Sequence, residues 1–428
     1  MRRLRARHWL AVTLAATLIV VASSTETTDL STQLSTGSTT PAADVRGTAR
    51  IGDKSYVDPA GPILSQESGA VPAPADIEPT PVEEPAAAEE VPVGPFTGLP
   101  VEPGTETRPA LVMKIDNHPR ARPQTGLDQA DIVFDMRAEV VNRFAAVYQS
   151  VVPEVIGPVR SSRTSDFDIL RGLDTPIYGS SGGNNNVLAG LRTLPIVALT
   201  NHTRPEYFRD TSRSAPHNLY IDGNVLYELA PDELPVPAPW FQYRAAGERL
   251  PAGAVAVEGP VAIDFSGSSE VTHTWDPEVG GWLRTQDGEP HLTAAGEQLA
   301  PENVVIMITD YTTSAADAIS PEVRSTGTGD LVVLTSGHAI LGTWERPAPE
   351  DKPALLDRSG TPIRLTPGRT WVLLPEPEQV TLPDGRTVDG LAATGEAENP
   401  SVSAQNGPCV TGGDPGNCWP WSASSAID

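Results

Sequence analysis

Between residues 115 and 220 the chain alternates short apolar runs with polar, turn-forming segments, and this alternation limits what it can fold into. The polar segments are Asp116-Asn117-His118-Pro119, Gly157-Pro158-Val159-Arg160-Ser161-Ser162-Arg163, Gly179-Ser180-Ser181-Gly182-Gly183 and Ala215-Pro216-His217-Asn218. Short apolar runs bounded by Gly, Pro, Asn and Asp read as strands. Residues 110–115, 130–138 and 144–151 are therefore expected to be strands, the last two joined through Glu139-Val140-Val141-Asn142-Arg143 in a hairpin-like connection. Residues 164–173 place Phe167, Leu170 and Leu173 on one helical face. Residues 175–178 read as a short strand, 185–194 as a helix, and 222–230 as another helix with Asp222 as its cap. Strands and helices interleaved in this way define a compact mixed domain.

The proline-rich segment 231–251 marks a boundary, beyond which the pattern turns to strands. These are expected over 255–265, 270–275 paired with 281–285, 303–312, a hairpin of 331–334 with 339–344 across Ser336-Gly337-His338, and 370–374. The expected fold class is thus α+β: a mixed α/β N-terminal domain over 95–235, then a β-rich C-terminal domain over 252–375. Residues 376–428 read as an irregular tail, stapled by a disulfide between Cys409 and Cys418, because two thiols with no nearby histidine make an incomplete zinc site.

Before the folded region, residues 1–24 combine a run of arginines, an uncharged apolar stretch and small residues, the three parts of an export signal, cleaved or retained as an N-terminal anchor. Residues 25–94 are Ser/Thr-rich and then Pro/Ala/Glu-rich, too poor in large apolar side chains to repay chain ordering, and read as an extended tether. The formal net charge is −25, and loss of the signal would remove arginines but no carboxylate. Such a chain repels nucleic acid and anionic lipid overall, so anion binding must come from a local patch.

That patch is expected from Arg122, Arg143, Arg160 and Arg163 with Asp116, His118, His217 and Asn218. Arginine offers a planar fork of donors suited to carboxylates and phosphates. The competing reading is that these arginines form structural bridges with Asp131, Asp135, Glu139 and Asp166. A second chemistry is open: Gly179-Ser180-Ser181-Gly182-Gly183 fits G-x-S-x-G between an expected strand and helix, the setting of a nucleophile elbow. Ser181 would then be the nucleophile, with His202 or His217 as base and Asp210 or Asp222 orienting it. A metal site built on His118, His217 and Asp116 or Glu139 has no standard spacing. The tryptophans Trp275, Trp282, Trp344 and Trp371 read as core or hairpin-pair residues rather than sugar platforms.

Several blocks in order then resemble a known family. Pro95-Phe96-Thr97-Gly98-Leu99-Pro100, Arg108-Pro109, Asp116 through Leu127, Ala130-Asp131-Ile132-Val133, Arg143-Phe144, Tyr148-Gln149-Ser150, Gly157 through Arg163 and Ala215 through Tyr220 are similar to the YerB-like family of exported bacterial proteins. Thr274-Trp275-Asp276, Asn303-Val304-Val305, Gly342-Thr343-Trp344 and Leu365 through Trp371 resemble that family's C-terminal domain. The resemblance implies an extracytoplasmic two-domain protein with no assigned activity. Typical members are lipoproteins, but this chain lacks the lipidated cysteine after its apolar run.

The sequence therefore leads to an exported cell-envelope protein, secreted or tethered by its N-terminal segment, that binds an anionic or polar envelope ligand without catalysis, metal or cofactor. Its expected partners are a cell-wall polymer or another envelope protein, with no nucleic acid, and with membrane contact only through an uncleaved N-terminus. The alternatives are a cell-wall hydrolase or transferase using Ser181 or an Asp/His set, and an extracytoplasmic protein scaffold.

Overall fold

The structure, a computed structural model, describes residues 91–201, 204–265 and 269–385. The export signal, the tether, His202 and the Cys409/Cys418 pair lie outside the described residues. In the first segment the elements are β1 (Leu111–Ile115), β2 (Ile132–Met136), β3 (Arg143–Tyr148), α1 (Asp166–Arg171), β4 (Ile177–Gly179), α2 (Asn185–Leu191), β5 (Val197–Ala198), β6 (Phe208–Arg209), β7 (Leu219–Tyr220) and α3 (Gly223–Glu228). Asn184 caps α2 through Val187 N–H, and Asp222 caps α3 through Asn224 N–H, as the sequence at 222 leads one to expect.

The second segment is strand-rich. It runs β8 (Val255–Ala256), β9 (Val261–Asp264), β10 (Glu270–Asp276), β11 (Gly281–Gln286), β12 (Glu289–Pro290), β13 (Asn303–Met307), β14 (Tyr311–Thr313), β15 (Pro321–Val323), β16 (Gly327–Thr335), β17 (His338–Arg346), β18 (Ala354–Asp357), β19 (Thr370–Leu373) and β20 (Val380–Thr381). The expected strand over 255–265 is two strands, because Gly259 takes a left-handed φ of 107° and Pro260 brings no N–H to a ladder. The β16–β17 hairpin turns on two residues, Ser336 and Gly337, with φ of 47° and 73°; paired positive φ values match the twist of the flanking strands.

The two segments share one sheet. Its order is β18-β17-β16-β13-β19-β2-β3-β1-β4-β5, with β8 also pairing β17. The joint is β19, which lies parallel to β13 on one side and to β2 on the other, with Thr370 opposite Ile132 and Leu373 opposite Asp135. A strand from the second segment is thus a neighbour of the first segment's central hairpin.

Alternate residues of this sheet serve two cores. Leu111, Met113, Val133, Ala146, Ile306, Trp371 and Leu373 face a five-stranded sheet, β12-β11-β10-β9-β20, and pack with its Val261, Ile263, Val271 and Trp282. Val112, Ile132, Phe134, Val147, Val305 and Val372 face the other way, toward Ile169, Leu170 and Leu173 of the α1 region, Val187 and Leu191 of α2, and Trp240. Burial on both faces explains why β1, β2, β3, β13 and β19 read as continuous apolar runs without alternation. The stretch expected to begin an irregular tail is ordered through 385: a 3-10 turn at Pro377–Gln379, boxed by Glu376 and Gln379, delivers β20 to the edge of β9, where Val380 is fully buried. Among the described residues no helix is long and apolar enough to cross a membrane.

Asp131, just before β2, is buried and accepts hydrogen bonds from Ser150 N–H at 2.9 Å and from the Ser150 hydroxyl. Burial raises its carboxyl to about 6, from an ordinary 3.8, although the Ser150 bonds oppose the shift. The folded protein then holds this proton more tightly than the unfolded chain, so stability falls as pH rises between about 4 and 6, by roughly 3 kcal/mol in all. Asp131→Asn keeps an acceptor for Ser150 N–H and is expected to lose this slope, measured as the urea midpoint at intervals from pH 4 to 7. An unchanged slope would show that Asp131 does not carry it.

Candidate functional site

β1, β2, β4, β5, β13 and β19 all run in one direction, with β3 reversed between β1 and β2. Their carboxyl ends therefore share an edge, and open sheets of this kind bind ligands where chains leave such ends. Asp116, Asn117 and His118 leave β1 there, Glu139 follows β2, and Ser180 and Ser181 follow β4.

Asp116 is the centre of the first cluster and is 1% exposed. Its N–H donates to the Pro158 carbonyl at 2.9 Å, and its Oδ1 accepts from His118 N–H at 3.1 Å. Its Oδ2 faces His217 Nδ1 at 2.7 Å and Arg160 Nε at 3.3 Å. The His118 ring stacks on His217 with centroids 4.2 Å apart and planes 16° from parallel, while its Nδ1 accepts from Arg120 N–H at 3.1 Å. Partial burial, then the neighbouring His217, lower the basicity of His118. Among the described residues His217 Nε2 has no hydrogen-bond partner, and the residue is 7% exposed.

A second cluster adjoins it. Glu139 accepts from Arg163 Nε, from Arg143 Nη2 at 3.1 Å and from the Ser320 hydroxyl at 2.8 Å. Burial alone would raise this carboxyl, but the Arg163 bond and the Arg143 charge prevail and hold it at about 2. Arg143 also donates to the Ser161 carbonyl at 3.3 Å; burial, then the neighbouring Arg163 charge, lower its pKa to about 10, so it stays charged at neutral pH. Beneath both clusters, buried Lys114 pairs with Asp166 at 2.6 Å, and burial lowers the pKa of the ammonium. The Tyr178 hydroxyl lies 3.1 Å from Asp166 Oδ2 and 3.0 Å from Ser162 Oγ, sharing its one proton between them, and Ser162 Oγ donates to Ser180 Oγ at 2.8 Å. With Arg163 N–H on Asp166 Oδ2 at 2.8 Å, this network fixes the 160–163 loop from below.

The structure thus brings together Asp116, His118, Arg160 and His217, with Arg143 and Arg163 alongside on Glu139. Arg122 lies elsewhere, donating to Asp287 of the second segment at 2.6 Å and to the Asn117 carbonyl at 3.2 Å. Asn218 secures its own loop, donating to the Asp210 and Arg213 carbonyls and accepting from Arg209. Of the expected structural partners, Glu139 takes two arginines, whereas Asp131 serves Ser150, Asp135 takes Arg284 and Asp166 takes Lys114.

Ser181 sits between β4 and α2, as the nucleophile-elbow reading requires, and among the described residues its hydroxyl pairs with Ser161 Oγ at 3.1 Å. The left-handed conformation in this turn falls on Gly182 and not on Ser181. His217, one of the two expected bases, is on Asp116, and the other, His202, lies outside the described residues. Among the described residues Asp210 turns back on Ser212 and Asp222 caps a helix. Among the described residues no three His, Cys, Asp or Glu side chains are grouped to hold a metal ion. Sequence reasoning missed Lys114, Tyr178 and Ser320; a lysine inside the apolar run Leu-Val-Met-Lys-Ile was the available signal, since a buried charge demands a partner.

Fold and site together define a class: a strand-rich α+β protein of two interlocked segments, with a polar, arginine- and histidine-bearing site at the carboxyl edge of their common sheet. Residues 96–235 match the family described as Protein of unknown function (DUF3048) N-terminal domain, and residues 261–372 match its C-terminal domain. The chain belongs to this YerB-like family. Over 313 residues, 69% of this chain and 89% of the relative, it is 27% identical to the protein named "Putative lipoprotein YerB" of Bacillus subtilis (strain 168). The crystal structure of YerB protein from Bacillus subtilis is similar in fold, with a TM-score of 0.60 and 23% identity, covering 68% of this chain and 98% of that one.

Proposed function

We propose that this is an extracytoplasmic protein of the cell envelope whose sheet edge binds an anionic envelope component through Arg160. The observation that carries the reading is the state of that guanidinium. Arg143 and Arg163 share the Glu139 carboxylate, and Arg122 pairs with Asp287. Arg160 makes no side-chain hydrogen bond, and its ion-pair partner Asp116 already holds His217. Its side chain is 23% exposed, enough to present the outer nitrogens to a ligand. Arg143, Arg160 and Arg163 gather at this edge in a chain of net charge −25, and local anion capture requires such a cluster. The hydroxyl of Ser161, the residue after Arg160, pairs with that of Ser181 at 3.1 Å. An envelope location is supported by the export-like N-terminus and by the lipoprotein designation of the Bacillus relative.

The test is retention of the purified full chain on isolated envelope fractions. Arg160→Ala is expected to weaken retention about tenfold or more, since a charge-assisted hydrogen bond is worth about 1.5–3 kcal/mol, without shifting the thermal midpoint. Arg160→Lys should recover part of the loss. Undiminished retention by the alanine variant would remove Arg160 from the site.

A further inference from the structure

We infer that the same edge is catalytic, with His217 acting as a general base, and then a general acid, in hydrolysis of a phosphodiester held by Arg160. The inference rests on the anion-binding reading above and goes beyond it by assigning bond cleavage.

The geometry that points there is the anchoring of one histidine nitrogen and the freedom of the other. Asp116 is an acceptor, so His217 Nδ1, 2.7 Å from Oδ2, carries the proton and donates it. The carboxylate is itself fixed, its Oδ1 by His118 N–H and its backbone by the Pro158 carbonyl. The lone pair of His217 is thereby placed on Nε2, which has no hydrogen-bond partner among the described residues. An imidazole oriented through Nδ1 by a carboxylate and free at Nε2 is the arrangement that proton transfer at neutral pH requires. The His118 ring, flat against His217, holds its plane.

Arg160 brings the charge. Its Nε and His217 Nδ1 converge on the same oxygen of Asp116, so the guanidinium and the imidazole are held on one carboxylate. A phosphodiester fits both groups: it carries a permanent negative charge for the fork, and its cleavage needs one proton removed and one returned. Water gives a proton to Nε2 as its oxygen forms a bond to phosphorus, and the bond from phosphorus to the leaving alkoxide breaks. The imidazolium then returns the proton to the leaving oxygen. The products are a phosphomonoester and an alcohol, with no oxidant, reductant or co-reactant consumed. Charge gathering on the phosphoryl oxygens meets Arg160.

The experiment is release of 4-nitrophenolate from bis(4-nitrophenyl) phosphate by the purified full chain across pH 5–9. Wild type is expected to release it above the buffer blank, with a rate that falls on the acid side. His217→Asn keeps a donor toward Asp116 but has no base, and is expected to lose about 100-fold or more in rate, with the thermal midpoint checked in parallel. Asp116→Asn acts through His217 and should displace the acid limb of the pH profile as well as slow the reaction. Arg160→Ala should raise KM more than it lowers kcat. If His217→Asn does not fold, the wild-type acid limb and its displacement in Asp116→Asn still decide the matter. Release no faster than the blank, or equal rates for wild type and a folded His217→Asn, would overturn the inference. Envelope retention that persists and still depends on Arg160 would in that case leave the binding function standing; loss of both would remove both.

Discussion

Replacing Arg284 by alanine is expected to destabilise the protein by about 3–5 kcal/mol at pH 7, the largest effect of any single charge removal here. Arg284 and Asp135 are both fully buried and meet at 2.9 Å. The guanidinium also donates to Gln286 at 2.9 Å, contacts His291 Nδ1, and lies 4.6 Å over the Trp371 ring and 5.4 Å over Phe144. Burial raises the Asp135 carboxyl, and the Arg284 charge works against that. Without the arginine, Asp135 is a charge in the interior with Asn142 as its remaining side-chain partner. Urea unfolding measures the loss. The paired variant Asp135→Leu with Arg284→Met is expected to regain most of it, because replacing both ions by apolar groups removes the desolvation cost along with the attraction. A loss below about 1 kcal/mol for Arg284→Ala would mean that the network contributes little to stability. The same network reaches the site: Asn142 accepts from Asn117 at 2.7 Å, and Asn117 follows Asp116 directly.

Trp344→Ala is the second large effect, expected to cost about 3–5 kcal/mol and to lower the thermal midpoint by roughly 10 °C. The indole is 2% exposed, and its Nε1 donates to the Ile308 carbonyl at 2.8 Å. The chain makes room for it with Gly329, its cross-strand partner, where an added Cβ would come within 2.7 Å of the indole nitrogen and 2.5 Å of the Ile308 carbonyl. Truncation therefore opens a cavity and strips a buried acceptor together. Trp344→Phe keeps most of the apolar contact and should lose about 1 kcal/mol for the missing donor. Equal losses for the two variants in thermal unfolding would show that packing area is not what Trp344 contributes.

The strands of the shared sheet were legible because their burial on both faces leaves near-continuous apolar runs, as in Ile132-Val133-Phe134 and Asn303-Val304-Val305-Ile306. What the runs do not carry is partnership. Nothing local in Thr370-Trp371-Val372-Leu373 shows that its neighbours are Ile132–Met136 and Asn303–Met307, because parallel pairing leaves no turn signature between strands so far apart in sequence. The site divides the same way. Asp116 and His217 stood out in their turns, but their contact joins loops at the ends of β1 and β7's approach, set by the tertiary fold. Asp135 was read as a mate for one of the four expected site arginines and instead closes on Arg284, which strand alternation puts on the same buried face as Trp282. Glu139 was placed among the expected bridge partners and does hold Arg143 and Arg163; its short distance in sequence from Arg143 made that pair the most readable.

The insertion of β19 beside β2 also sets a timetable. During synthesis from the N-terminus, β2 leaves the ribosome about 230 residues before β19, an interval of roughly 10–50 s at about 5–20 residues per second. Through that interval one side of Ile132–Met136 lacks its mate, and the apolar edge it presents is the kind that nascent chains must keep from pairing with one another. The first segment can assemble its β1–β3–β2 hairpin core early, yet its last neighbour arrives only when nearly all of the folded chain has been made.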